Sequence, residues 1–408
     1  SFNSMQSRED IQLPLSCHPL PSFNSFAFRS SDIKYLSSNL DEYRGTDPNG
    51  LFPLLLKRLS SKLAPKLGVI LRKLKRQGSF SECWRLGNVT PIPKGLSSSP
   101  SPIDYRPISI TPILSKIFER LLAKRLALYL RPYLPETQFG FRKGLGTSDA
   151  LLLLVHELQS ALDQNCESRL VSLDFSAAFD TVNHKGLIFK MKSVGIGGRV
   201  LNILTDFLTD RQQRVVVDGA FSPFSRVYSG VPQGSVLGPL LFILYTSDMW
   251  SDITNKILAY ADDTSLYAQV PSPAMRQGVA ASLTEDLNKI QSWCLQWGMK
   301  LNPRKSKELI VSRSRTHLPE HPNLSINGAL IEQADKLKLL GVTLDSKLTF
   351  EAHLRNMSRS ISQKLGILRK SKKIYEEDSI LRKCFFSFTL PHFEYCSAVW
   401  SSAADCHM

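Results

Sequence analysis

Residues 171–180 read VSLDFSAAFD, and residues 257–270 read ILAYADDTSLYAQV. In the first stretch Val171, Leu173 and Phe175 alternate with Ser172 and Asp174, the two-residue period of a strand with one apolar face. Asp174 therefore stands at the strand end, on the face opposite those apolar side chains. In the second stretch two apolar runs flank Asp262 and Asp263, a strand–turn–strand pattern with both acids at a hairpin tip. Taken singly, an Asp-Asp pair is usually a solvated turn, and a strand-end Asp is usually a cap or turn residue. Should the two stretches lie side by side, three carboxylates meet at one end of a sheet. Adjacent carboxylates resist full ionisation unless cations sit between them. Such a set suits two Mg2+ ions, which prefer hard oxygen ligands and keep waters for substrate phosphates. Two ions ~3.5–4 Å apart can activate an attacking hydroxyl and stabilise a leaving phosphate oxygen.

Working outward, residues 51–77 read as two helical stretches broken at Pro65, with Gly78 as the stop. Trp84–Ile92 reads as extended, and Gly95–Pro102 as a flexible loop. Thr111 before Pro112 predicts an N-cap with proline in the first turn. The helix it opens carries the stripe Ile113, Ile117, Leu121, Leu122 and Leu126 and stops before Pro132. Further helices are expected over residues 148–164 and 176–194, and through Leu283, Leu287, Ile290 and Trp297 to Gly298. Residues 307–312 and 338–344 read as strands. Leu354, Met357, Ile361, Leu365 and Leu368 line one face of a basic helix. Residues 1–31 are rich in Ser, Pro and Asn and read as linker. Strands, hairpins and helices without a regular βαβ alternation predict an α+β fold, and no internal repeat is visible.

The 408 residues are 42% hydrophobic and 21% charged, which excludes a disordered, collagen-like or mucin-like chain. No apolar run approaches the length of a spanning helix, so a spanning helix is excluded, and a membrane is not among the expected partners. Lys and Arg number 51 against 36 Asp and Glu, a net charge of +15. That excess favours a polyanionic partner, nucleic acid before an anionic membrane surface, although a merely soluble basic surface has the same composition. Seven cysteines with no CxxC pair argue against a disulfide scaffold or zinc ribbon. His392, Cys396, Cys406 and His407 lack zinc-knuckle spacing. No secretory signal is visible, and an intracellular chain is expected. The start at Ser1 and the abrupt end lead us to expect a fragment of a longer product.

Read in order, Ser172–Asp180 (SLDFSAAFD), Gly230–Leu241 (GVPQGSVLGPLL) and Ala259–Thr264 (AYADDT) resemble a reverse transcriptase of the non-LTR (LINE-type) retrotransposons. The resemblance runs through Pro91–Lys94 (PIPK), Tyr105–Ser109 (YRPIS), Gln138–Arg142 (QFGFR), Leu301–Lys307 (LNPRKSK) and Leu340–Asp345 (LGVTLD). Pro391–Trp400 resembles the end of the thumb, so coverage is about residues 33 to 400. The resemblance implies that Asp174, Asp262 and Asp263 are the catalytic and metal-binding carboxylates, with two Mg2+ ions and Mn2+ as an alternative. It implies that Lys94 and Arg106 contact the incoming triphosphate, where a point charge and a planar fork both suit phosphate; without the motifs each reads as a solvated cation. Gln233 and Gly234 belong to a turn where backbone approaches the nucleotide closely. Phe179, five residues after Asp174, matches the steric gate against a ribose 2′-hydroxyl; alone it reads as a core ring. Lys305 matches a candidate proton donor to pyrophosphate, with a backbone-phosphate contact as the simpler role, and Arg304 and Lys307 compete for it. Leu339–Leu344 resembles a primer grip. The basic run Arg369–Lys373 suits a duplex or a solvated helix face.

The resemblance implies a right-hand polymerase: an N-terminal extension over 1–50, fingers over 51–165, palm (an antiparallel sheet backed by helices) over 166–335, and primer grip and thumb over 336–408. The reverse transcriptase domain is expected over about 75–346. The implied activity is RNA-directed DNA polymerisation, with RNA template, DNA primer and dNTPs as partners, in the nucleus during element integration, with the cytoplasm as the alternative. No endonuclease, RNase H or zinc-knuckle segment is recognisable, so nicking is expected from a missing segment or another protein. A viral RNA-dependent RNA polymerase is a rival: Asp180 imitates its spaced acidic pair, but Ala261 stands where those enzymes usually carry Gly, and they lack the GVPQGS block. A catalytically silent nucleic-acid-binding remnant is the other rival.

Overall fold

The computed structural model describes residues 22–95, 101–313, 321–372 and 378–401. In chain order its elements begin with α1 (Ser30–Ser38), α2 (Pro53–Arg58), α3 (Ser60–Gln77), β1 (Leu86–Pro93), β2 (Tyr105–Ile110), α4 (Ile113–Leu130) and α5 (Thr147–Asp163). Then come β3 (Glu167–Leu173), α6 (Ala178–Thr181), α7 (His184–Ser193), α8 (Gly198–Leu208), β4 (Arg211–Val217), β5 (Ala220–Phe221), β6 (Ser225–Val227) and α9 (Gly238–Tyr245). The remainder holds β7 (Lys256–Tyr260), β8 (Asp263–Val270), α10 (Arg276–Trp297), β9 (Lys307–Val311), β10 (Ser325–Ile326), β11 (Ala329–Leu330) and β12 (Glu332–Gln333). It closes with β13 (Lys336–Leu339), β14 (Val342–Asp345) and α11 (Glu351–Ser371), followed by short helical turns to Trp400. The class is α+β, as the sequence reading expects.

The chain divides into two compact units, each assembled from three pieces. One holds the described residues of Ser1–Pro135, Ser176–Met249 and Trp293–Lys300. In it β1 pairs with β2 antiparallel and with β4 parallel, and β5 and β6 both pair with β4. Its core is aromatic: the Phe80 ring meets Trp84 at 5.4 Å and Phe207 at 5.5 Å, and Phe118 packs beside Trp84 at 5.8 Å. Edge-to-face contacts of this kind add about 0.5–1.5 kcal/mol each beyond the area they bury.

The other unit holds the described residues of Glu136–Phe175, Trp250–Ser292 and Leu301–Met408. Its sheet runs β12-β9-β3-β8-β7 with β3 in the centre. Leu151, Leu154 and Leu158 of α5 pack with Leu170, Leu258 and Leu309 of that sheet and with Leu337, Val342 and Leu344 of the β13–β14 hairpin. Within β3 the fully buried Arg169 donates to Glu308 at 2.6 Å and to the Pro322 carbonyl at 2.8 Å. Desolvation of both charges offsets much of the attraction in such a pair.

Several sequence expectations are corrected. The described part of the expected linker, residues 22–31, is not plain linker: Phe26 is buried against Phe118, and Ser30 opens α1, which buries Ile33 completely, worth roughly 1.5–3 kcal/mol. Pro65 lies inside α3 instead of breaking it, and the break falls at Leu59. One missing N–H is outweighed by the burial of Ala64, Gly68 and Leu71 around it. Thr111 does not cap α4; Asp47 does, accepting the Ile113 N–H at 2.8 Å. The expected helix over 176–194 is two, because Asn183 starts a second one by accepting the Gly186 N–H at 2.9 Å. On α11 only Leu354 and Ile361 of the expected stripe are buried. Residues 1–21, 96–100 and Lys373, with Cys17, Cys406 and His407, for which expectations are given above, lie outside the described residues. Among the described residues the cysteines are free thiols, and no helix is long and apolar enough to cross a membrane.

Candidate active site

Strand register decides where the three aspartates go. β3 and β8 run antiparallel with Leu173 opposite Thr264 as their last pair, and Asp174 and Asp263 are the next residues on each strand. β7 and β8 close with Tyr260 opposite Asp263, leaving Ala261 and Asp262 as the turn. All three carboxylates are therefore carried to one end of a sheet whose neighbouring strands lie about 4.8 Å apart. Asp174 and Asp262 are half-buried and Asp263 is exposed. Oxygen donors of this kind match a hard divalent cation. Among the described residues, no three His, Cys, Asp or Glu side chains are grouped closely enough to form a ligand set.

Backbone bonds hold Asp174 in place. Its N–H donates to Ser306 Oγ at 3.2 Å, and its carbonyl accepts from Asn302 N–H at 2.8 Å. The Ser306 hydroxyl donates in turn to the Asn302 carbonyl at 2.9 Å. The LNPRKSK loop is thus fastened to the end of β3, and Lys305 is exposed on that loop. Lys307 is engaged with Glu332 at 2.9 Å, which separates it from its two basic neighbours.

The turn itself is held from outside the hairpin. Ala261 is left-handed, with φ +60°. Its N–H donates at 2.9 Å to Oε1 of Gln138, a residue only 1% exposed. The same oxygen accepts the Gly140 N–H at 2.8 Å. Residues 137–139 run alongside β7: Ala259 N–H donates to the Thr137 carbonyl at 2.9 Å and Phe139 N–H to the Ala259 carbonyl at 2.8 Å. A Cβ on Gly140 would run into the Ala261 nitrogen. The QFGFR motif was legible as a motif, but this job of Gln138 was not.

The remaining candidates lie in the first unit. Arg106 on β2 stands opposite Ile92, and just beyond that pairing the Lys94 N–H donates to the Asp104 carbonyl at 2.8 Å; both basic side chains are exposed. The GVPQG loop crosses β2 where Ser109 N–H donates to the Gln233 carbonyl at 2.7 Å. Gly234 has φ +112°, and a Cβ there would lie 2.5 Å from the Ser109 carbonyl oxygen, so no larger residue fits. The Gln233 amide donates to both oxygens of Asp180, at 3.2 and 3.3 Å. Burial pushes the Asp180 carboxyl up to about 6, opposed by the Gln233 bond and the Lys94 charge. Phe179 is half-buried and stacks on Phe242, ring centroids 4.3 Å apart. Sequence reasoning missed Glu119 of α4. It is fully buried and accepts the Val236 and Leu237 N–H groups at 2.7 and 3.2 Å, fixing the segment that leads into α9. A lone acid among the apolar positions of α4 was the available signal.

The sequence pattern of the family described as "Reverse transcriptase (RNA-dependent DNA polymerase)" matches residues 92–344, more than half of the chain. The chain belongs to the reverse transcriptase family. Every candidate residue above falls inside the matched span. Among its relatives the reverse transcriptase chain is 34% identical to the "Probable RNA-directed DNA polymerase from transposon BS" of Drosophila melanogaster, over 77% of this chain and 35% of that one. It is 30% identical to the "RNA-directed DNA polymerase from mobile element jockey" of the same organism, over 99% of this chain and 44% of that one. A third, the "Probable RNA-directed DNA polymerase from transposon X-element", is 29% identical over 86% and 39%. The chain spans about 35–44% of the length of these relatives.

Proposed function

We propose that this chain is the polymerase core of a non-LTR mobile-element protein and copies RNA into DNA, joining dNTPs to the 3′-hydroxyl of a DNA primer. The observation that carries the reading is the delivery of Asp174, Asp262 and Asp263 to one end of the β3–β8 pair, within the span matched by the family. Bound at these carboxylates, two divalent cations, Mg2+ foremost, would activate the primer hydroxyl and neutralise the departing pyrophosphate. Asp174, Asp262 and Asp263 would hold those cations through carboxylate oxygens. Lys94 and Arg106 bind triphosphate oxygens, and Gln233 and Gly234 bring backbone and amide against the nucleotide. Phe179, whose ring stacks on Phe242, excludes a ribose 2′-hydroxyl by its bulk. Lys305 gives a proton to the pyrophosphate. In this reading residues 51–165 serve as fingers, 166–335 as palm and 336–408 as primer grip and thumb, and the protein works in the nucleus.

The test is primer extension on an RNA template with deoxynucleotides and Mg2+. The parent chain should extend the primer, and Asp262→Asn should slow extension about a hundredfold or more while leaving primer–template affinity nearly intact. Extension by Asp262→Asn at the parental rate would remove the aspartates from the reaction.

A further inference from the structure

Ala261, the residue before the acid pair, sits at φ +60°. A residue with a Cβ is penalised in the left-handed region, whereas glycine enters it freely. The turn is therefore strained by its own sequence and must be stabilised from outside. The outside contact is Gln138, 123 residues earlier in the chain, whose Oε1 accepts the Ala261 N–H at 2.9 Å. Its Nε2 faces the Ala261 carbonyl at 3.5 Å, so the amide straddles the peptide groups on both sides of the residue. Gln138 is itself pinned: Oε1 also takes the Gly140 N–H, and the Arg142 guanidinium donates to the Gln138 carbonyl at 3.2 Å. A side chain 1% exposed and bonded on every side has little freedom to follow the turn if the turn moves.

We propose that Gln138 is the positioning residue of the aspartate turn: its amide holds the Ala261 peptide left-handed and so sets the directions in which Asp262 and Asp263 leave the sheet. Gln138 acts through the turn and touches no substrate. The inference rests on the polymerase reading above for its catalytic consequence, but not for its geometry. Its distinguishing corollary is that glycine at position 261 makes the amide dispensable, because glycine needs no help to stay left-handed. A core residue that merely fills space has no such dependence.

The experiment compares the parent, Gln138→Met, Ala261→Gly and the double variant. Met keeps the volume and removes the acceptor. With Ala261 present, Gln138→Met should lower kcat for primer extension by about 10–100-fold. KM for the nucleotide should change by less than about threefold. Against the Ala261→Gly background the same change should lower kcat by less than about threefold. Without nucleic acid, nucleotide or divalent cation, hydrogen exchange at the Ala261 amide should accelerate in Gln138→Met while its cooperative melt persists. Equal losses in the two backgrounds, unchanged exchange at Ala261, or loss of the cooperative melt in Gln138→Met would each overturn the proposal. If the parent extends no primer, the polymerase reading falls, and the exchange comparison still decides whether Gln138 holds the turn.

Discussion

Burial lifts the Asp180 carboxyl from its ordinary 3.8 to about 6, and neither the Gln233 amide nor the Lys94 charge fully reverses the effect. Between those two pH values the folded chain holds a proton that the unfolded chain has lost. Stability from this group is therefore full below about pH 4 and falls as pH rises through 6, by on the order of 2–3 kcal/mol. Asp180→Asn keeps an acceptor for Gln233 and cannot ionise. The melting temperature of this variant relative to the parent should therefore rise between pH 4 and 7, and a constant difference across that range would place Asp180 in contact with water. The placement of the three aspartates at one end of a sheet was legible because their motifs are local. Asp47, Glu119 and Gln138 were not, because their partners lie 66, 117 and 123 residues away, and no window of sequence contains both ends of such a bond.

Helix α7 is fixed by one buried lysine. Lys190 Nζ lies 3.7 Å from the centroid of the Trp297 ring, 4.6 Å from Trp293 and 5.1 Å from Tyr245. It donates to the Tyr245 carbonyl at 2.5 Å and pairs with Asp248. Burial pulls its pKa down to about 8, with Asp248 resisting. Lys190→Met should destabilise the protein by about 2–4 kcal/mol, since it removes a desolvated cation–π contact and leaves the Tyr245 carbonyl without this donor. Chemical denaturation reads the change, and a loss under about 0.5 kcal/mol would make the aromatic cage incidental. Elements with strong periods, such as α4, β3 and the β7–β8 hairpin, could be read from sequence. The breaks could not: Pro65 fails to interrupt α3, and Asn183 divides an otherwise continuous helical pattern. In both cases packing or a single cap outweighs propensity.

Charge acts at the scale of the whole molecule. With +15 distributed over 408 residues, template binding should proceed largely through phosphates and release condensed counterions. Affinity for an RNA–DNA primer–template should fall about tenfold or more between roughly 50 and 200 mM salt, with little dependence on base sequence. A binding constant that is flat over that range would mean the excess charge faces away from the nucleic acid. The charge excess can be read from the composition, whereas the make-up of the two compact units cannot. Each compact unit takes three separated pieces of chain, with breaks near residues 135, 175, 249, 292 and 300. A partition read along the sequence assigns contiguous blocks, and re-entrant chain has no compositional mark.

The central position of β3 has a consequence on the ribosome. Its partners β8 and β9 are made some 90 and 135 residues later. At roughly 5–20 residues per second, the nascent strand waits about 5–20 seconds for its first neighbour and longer for its second. Throughout that time a strand with one apolar face has both backbone edges open, a form prone to pair with another copy. Chains released before Asp263 lack both partner strands of β3, so a prematurely terminated product should be prone to aggregate.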